Sequence, residues 1–291
     1  MSEPGAIAAG ANAAMQRYWN EVAGPRWVSL AGAQEARNIE VARLLLAEAR
    51  PAAGEQVLDV GCGTGATAVP LAAAVGPSGH VTGIDISEPM LSVARQRVAA
   101  EQQGNLTLLL ADAQVHAFRP ASFDLLVSRF GVMFFADPVA AFTNLCGAAR
   151  PGGRLCMAVW APLADNLHWR IPYEIALRHL GPPAPQPPHA PGPLAFSDPD
   201  YFRSVLAAAG FAEIAITPRA FQVIGRSAAS EAEHAGLQGP SGRLIDEKQA
   251  DPATRQAIVG ETAAALAAHA GANGELRLPG TVFIATARRP A

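Results

Sequence analysis

The chain has 291 residues, 22 of them Lys or Arg and 25 Asp or Glu, a formal balance of −3. Half of the residues are hydrophobic and 16% are charged, which excludes disorder as an overall description and allows a sizeable core. The positive charge is nearly all arginine, with Lys248 the single lysine, and no basic run marks a nucleic-acid surface.

From Gln34 to Arg50, Ile39, Val41, Leu44, Leu45 and Ala49 recur at helical spacing, and Pro51 and Gly54 end that helix. Gln56–Val60 reads as a short buried strand running into a glycine cluster. Ala66–Val75 reads as a helix, followed by a turn at 76–79 and a second strand at His80–Ile84 that closes on Asp85. Ser87 is a candidate cap for the next helix, whose apolar face is Met90, Leu91, Val93, Ala94 and Val98. Leu106–Leu110, Phe123–Ser128 and Arg154–Trp160 read as the third to fifth strands, with a helix at Pro138–Ala149 and a turn at Pro151–Gly153. Gly181–Pro193 is a stiff, proline-rich connection. A helix at Asp198–Ala209, a strand at Phe211–Val223, a polar stretch, an alanine-rich helix at Ala253–Ala270 and a strand at Glu275–Arg288 complete the chain.

Strands alternating with helices imply βαβ units and an α/β, doubly wound, mostly parallel sheet. Ligands bind such sheets beyond the carboxyl ends of the strands. The loops after Val60, Ile84, Ala111 and Ser128 are therefore where a site is expected.

The strongest motif is Val57-Leu-Asp-Val-Gly-Cys-Gly-Thr-Gly65. Alternate glycines after a buried strand let a ligand approach the backbone, and the following helix offers free N–H groups. Gly61, Gly63 and Ala66 also satisfy the dinucleotide pattern, with Asp85 19 residues further on. Charge separates the two readings in part. No Lys or Arg lies between Arg50 and Arg95, whereas Asp59 and Asp85 do, which suits a cationic ligand such as S-adenosylmethionine better than a pyrophosphate. A helix N-terminus binds pyrophosphate without side-chain help, so both readings stay open on the glycines alone. Asp85 is placed to accept from ribose hydroxyls, or serves only as an N-terminal helix charge. Asp112 is placed to accept from an adenine amino group beside the Ala113 N–H, or is a turn residue. Ile86 and Met90 either sandwich the adenine or belong to the core.

Taken together, the motifs VLDVGCGTG at 57–65, VTGIDIS at 81–87, ADA at 111–113, FDLLVSRFGVMFF at 123–135 and RPGGRL at 150–155 resemble a class I S-adenosylmethionine-dependent methyltransferase of the ubiquinone/menaquinone C-methyltransferase-like branch. The resemblance covers about residues 40–160. It implies a Rossmann-like, seven-stranded sheet with an antiparallel last strand, and S-adenosyl-L-methionine as cofactor, leaving as S-adenosyl-L-homocysteine. It further implies Gly61, Gly63 and Gly65 along the methionine part, Asp85 on the ribose and Asp112 on the adenine. Asp59, Cys62, Ile86, Met90, Ala113, Ser128 and Trp27 complete the expected cofactor contacts. Residues 34–291 are read as one domain, with helical substrate-cap insertions at about 161–197 and 224–274. Residues 1–33 resemble a lid.

Methyl transfer from a sulfonium is an in-line displacement that needs a held nucleophile and exclusion of water. His168 and Tyr18 are the candidate catalytic residues, although a structural histidine and an aromatic helix anchor are the plain alternatives. Trp19, Arg129, Phe130, Met133, Trp160 and Asn166 are expected on the acceptor side. Arg129 either orients an acidic or phenolate substrate or pairs with a core carboxylate. The mostly apolar wall suggests a small hydrophobic or aromatic methyl acceptor, with C- or O-methylation favoured. The alternatives are an NAD(P)-dependent oxidoreductase, which lacks a Tyr-x-x-x-Lys pair here, and a non-catalytic cofactor-binding regulator. Cys62, Cys146 and Cys156 are read as buried reduced thiols, with no metal site. Residues 1–14 show no signal-peptide pattern and no apolar run spans a bilayer, so a cytoplasmic protein without integral membrane association is expected.

Overall fold

The computed structural model describes residues 12–102, 104–272 and 274–291. The lack of a leader pattern was read mostly from residues outside that range. Seven strands form one sheet: β1 (Gln56–Val60), β2 (His80–Asp85), β3 (Leu106–Leu110), β4 (Phe123–Arg129), β5 (Ala149–Trp160), β6 (Ala212–Gly225) and β7 (Leu276–Arg288). Their order is β3-β2-β1-β4-β5-β7-β6. The first five pair in parallel, and β7 runs antiparallel to both β5 and β6. The central strands are apolar on both faces, since Val57, Leu58, Leu125, Leu126, Val127 and Met157 are all buried. That is what a sheet covered by helices on both sides requires.

Helices fill the connections: α1 (Ala13–Glu21), α2 (Ala23–Ser29), α3 (Ala31–Ala49), α4 (Ala68–Val75), α5 (Glu88–Ala100), α6 (Pro138–Ala148), α7 (Leu167–Leu180), α8 (Pro199–Ala208), α9 (Ala228–Leu237), α10 (Gly239–Glu247) and α11 (Pro252–Ala267). α3 packs against β4, β5, β6 and β7, while α4 and α5 pack against β2 and β3. α7, α9, α10 and α11 pack on one another around a small core of their own, which includes Ile175, Leu244 and Ile258.

The polar stretch, expected within a helical insertion, holds α9 and α10, and α9 is opened by a capping box between Ser227 and Ser230. Two local expectations are corrected. The Pro151–Gly153 turn is instead an irregularity within β5, since Ala149 pairs with Phe123 and pairing resumes at Arg154. Ser87 sits at the N-terminus of α5 without capping it through its side chain, and its hydroxyl donates to Trp19 O at 2.9 Å. Asn20 takes over there, its Oδ1 accepting the Glu88 N–H at 3.0 Å.

Candidate active site

The carboxyl ends of β1, β2 and β4 open into a single cavity that α1–α3, α7, α9 and α10 close from above. At one end lie Gly61, Gly63, Asp85, Ile86, Met90, Asp112 and Ala113. Gly61, Gly63 and Gly65 all have positive φ. A Cβ on Gly61 would sit 2.6 Å from the Gly131 Cα, so the loops after β1 and β4 meet only because both residues are glycine. Asp85 accepts the Gly63 N–H at 2.7 Å and the Ser87 N–H at 2.8 Å through different oxygens. Each oxygen keeps a lone pair for a further donor. Burial raises the Asp85 pKa, and the backbone N–H groups of Ser87, Gly63 and Ile86 oppose that shift.

Asp112 is also engaged. The Asn12 amide donates to both of its oxygens, at 2.9 and 3.0 Å, and the Gln114 N–H to one of them, at 2.9 Å. A primary amide presents the same two-hydrogen donor as an adenine amino group. Asp85 and Asp112 line this end, and the Arg129 charge acts on Asp59 and Glu35 beside the same loop. These residues fit an adenosyl ligand carrying cationic groups and no phosphate.

The remaining expected cofactor contacts divide. Trp27 lines the cavity, but Asp59, Cys62, Gly65 and Ser128 do not. Gly65 packs against Ala94. Cys62, like Cys146 and Cys156, is a buried free thiol. Ser128 is fully buried, its hydroxyl donating to Val60 O at 2.7 Å and accepting the Gly131 N–H at 3.2 Å. It ties the β1 and β4 ends together. Asp59 is fully buried with neither oxygen hydrogen-bonded. Burial pushes its pKa up to about 7, against the pull of the Arg129 charge, and Asp85 adds to the rise.

The other end of the cavity is aromatic. Phe130 and Trp160 stack with centroids 4.3 Å apart and planes 1° from parallel. Phe130 has φ 66°, a conformation that a non-glycine residue holds only at a cost of roughly 1–3 kcal/mol. Trp19 meets Phe134 edge-on at 5.0 Å and Trp27 at 6.3 Å. Tyr18, Met133 and Trp169 also line this end. The N-terminal helices are anchored over it by Asn20, which donates to Ile86 O at 2.9 Å, and by the Arg26–Asp246 ion pair. Burial raises the Tyr18 pKa, so its phenol stays protonated.

His168 lies against Trp160, Trp169 and Phe221. It is buried, and neither ring nitrogen has a hydrogen-bond partner. Burial, with help from the charges of Arg37 and His234, depresses its pKa well below the usual range, so the ring is neutral. Asn166, expected on the acceptor side, is instead a buried clamp. It donates to Ala161 O and Pro162 O and accepts the Thr281 N–H at 3.1 Å. Arg129 lines the cavity with no carboxylate at ion-pair distance among the described residues, and its charge acts on the buried Asp59 and on Glu35.

Several lining residues were not singled out from the sequence: Gln34, Arg37, Asn38, His234, Gln238 and Arg243. Gln34, Arg37 and Asn38 share a face of α3 with buried Val41 and Leu45. Polar residues continuing an apolar stripe were the signal available. His234, Gln238 and Arg243 lie in the cap insertion, where the sequence bounded no individual helix before Ala253.

A methyltransferase-domain family profile matches residues 57–153. Nocamycin O-methyltransferase from Saccharothrix syringae is 31% identical over 275 residues, which span 90% of this chain and 97% of that protein. Aklanonic acid methyltransferase from Streptomyces sp. (strain C5) is 38% identical over 113 residues, 39% of this chain and 51% of that one. The fold is similar to that of Haemonchus contortus phosphoethanolamine N-methyltransferase 2 solved with S-adenosylhomocysteine. The TM-score is 0.53 at 19% identity, covering 87% of this chain and 53% of the other.

Proposed function

The chain belongs to the class I S-adenosylmethionine-dependent methyltransferases and acts on a small molecule; from that premise we propose that it methylates a hydrophobic or aromatic acceptor at oxygen or carbon. One observation carries the proposal. A single cavity joins the glycine loop and Asp85 at one end to the Phe130–Trp160 stack and His168 at the other. Nocamycin O-methyltransferase and aklanonic acid methyltransferase carry small-molecule methyltransferase names, which supports the same class of acceptor.

When bound, S-adenosyl-L-methionine supplies an electrophilic methyl group on a sulfonium, which departs as the neutral thioether of S-adenosyl-L-homocysteine. The protein's share is placement. Asp85 and the backbone around Gly61 and Gly63 hold the adenosyl and methionine parts, and Ile86, Met90 and Ala113 wall the base. Trp19, Trp27, Phe130, Met133 and Trp160 sequester the acceptor from water, where Tyr18 and neutral His168 orient it by hydrogen bonds. A neutral imidazole so reluctant to take a proton is an orienting group rather than a strong base. The N-terminal helices act as a lid, and the α7, α9–α11 layer acts as a substrate cap on one domain.

Calorimetry with S-adenosyl-L-homocysteine, and transfer of a labelled methyl group to a panel of aromatic enols, phenols, acids and amines, test this reading. Binding that is largely lost in Asp85→Ala, with transfer to oxygen or carbon acceptors, is expected. Undiminished affinity in Asp85→Ala, or transfer only to amines, would refute it.

A further inference from the structure

The amino-acid part of S-adenosyl-L-methionine is a zwitterion. Asp85 and Asp112, which line the glycine-loop end, repel its carboxylate rather than balance it. Among the described residues, four arginines line the cavity: Arg26, Arg37, Arg129 and Arg243. Arg26 is paired with Asp246 on α10, and Arg37 with Glu231 on α9. The Arg243 guanidinium lies against the proline-rich connection, where a Cβ on Gly192 would meet its Nη1 at 2.5 Å. Arg129 is the lining cation that remains.

Backbone geometry sets Arg129 beside the glycine loop. Asp59 pairs with Val127 in register, and Arg129, two residues further along β4, shares the same face of the sheet. The two strand ends are locked together there, by the Ser128 hydroxyl on Val60 O and by the close approach of Gly61 to Gly131. Burial lowers the Arg129 pKa, the charges of Asp59 and Glu35 oppose that shift, and Arg97 adds to it. Neither carboxylate takes the guanidinium's hydrogen bonds. Glu35 is engaged by Arg97 and, at 3.3 Å, by the Thr64 hydroxyl. Asp59 accepts no hydrogen bond at either oxygen. Among the described residues, no group accepts a hydrogen bond from the Arg129 guanidinium. Its charge is partly balanced from behind, while its donors, a planar fork that matches a carboxylate, are unspent at the cavity wall.

We propose that Arg129 binds the carboxylate of the cofactor's methionine part through paired N–H bonds from its guanidinium, and so makes that carboxylate a requirement for tight binding. The assignment rests on the reading of the glycine-loop end as the cofactor's. It moves Arg129 from the acceptor side, where the sequence suggested it, to the cofactor side. Consecutive residues then serve the two ends of the cavity: Arg129 the cofactor, and Phe130, stacked on Trp160, the acceptor. Adenosyl thioethers that lack the carboxylate are disfavoured as occupants of the same end.

The test is calorimetry on the full chain with two ligands: S-adenosyl-L-homocysteine and its decarboxylated counterpart, 5′-deoxy-5′-(3-aminopropylthio)adenosine. The second keeps the adenosine, the thioether and the ammonium and lacks only the carboxylate. Wild type should bind S-adenosyl-L-homocysteine at least tenfold more tightly than the decarboxylated ligand. In Arg129→Gln that preference should fall below threefold, with the affinity for the decarboxylated ligand kept. Arg129→Lys retains the charge without the fork. It should lose part of the preference, and it decides the matter if the Gln variant fails to fold. Equal binding of the two ligands by wild type, a preference undiminished in either variant, or equal weakening of both ligands would overturn the proposal. A wild-type chain that binds neither ligand would count against the cofactor reading of the glycine-loop end instead.

Discussion

The Asn12 amide nitrogen bridges both carboxylate oxygens of Asp112, at 2.9 and 3.0 Å, while its Oδ1 accepts the Ala136 N–H at 2.7 Å. Asn12 therefore holds the acceptor that an adenine amino group needs, and it links the N-terminal helices to the loops after β3 and β4. On the proposed docking of the adenine at Asp112, this amide competes with the cofactor for the same carboxylate. A hydrogen bond to a charged group is worth about 1.5–3 kcal/mol, offset here by the bond that replaces it. Asn12→Ala should tighten binding of S-adenosyl-L-homocysteine severalfold by calorimetry. Weaker binding would mean that Asn12 supports the adenine rather than competing with it.

Gly24 permits the N-terminal helices to seat. A Cβ there would lie 2.0 Å from Trp19 O and 2.6 Å from Ser87 Oγ, so the α1–α2 turn must move away from the end of β2. Gly24→Ala should raise the KM for S-adenosyl-L-methionine at least tenfold. Thermal melting should change little, because Val57, Leu126 and the rest of the sheet core lie elsewhere. An unchanged KM would show that the contacts of the N-terminal helices are dispensable.

Asp59 makes stability depend on pH. Its folded pKa, about 7, lies above the ordinary carboxylate value of 3.8. The folded state therefore binds more protons between those values, and stability falls as pH rises through that window, levelling off above it. The neutral isostere Asp59→Asn mimics the protonated form. It should match wild type near pH 4 and exceed it at pH 8 by a few kcal/mol in denaturant melts of the cofactor-free protein. A variant less stable than wild type at pH 8 would show that Arg129 compensates the carboxylate fully.

His168→Asn should lower kcat roughly 10- to 100-fold, in line with the loss of an orienting hydrogen-bonding group. The shape of the pH–rate profile between 6 and 8 should stay as in wild type. Burial beside Arg37 and His234 keeps the ring neutral across that range. Loss of an acidic limb in the variant would identify His168 as a titrating base.

The bounds of β1 and β3 follow from the sequence, since short apolar runs between turn residues are local signals. The glycine loop was legible for the same reason. Its positive φ angles are a property of single residues and do not depend on what packs around them. α9 and α10 were not legible. Their buried faces include His234, Ser241 and two glycines, so no apolar stripe marks them, and they form because α7 and α11 provide the surface they need.

Polarity is written in each residue, but its partner is not. Ser128 and Asn166 are polar residues close to the site in sequence, and both spend their hydrogen bonds holding strands and loops together. Arg129 was open to two readings, and the structure puts it on the cavity wall with its charge acting on buried Asp59. By itself, the sequence determined the βαβ alternation, the order of the motifs and the paired Asp59 and Asp85 in a stretch free of cations. Only tertiary structure decided that Asn12 reaches Asp112 and that Gln34 reaches Gln238. The first group consists of short-range regularities that the backbone imposes locally. The second depends on helices distant in sequence closing over one sheet edge.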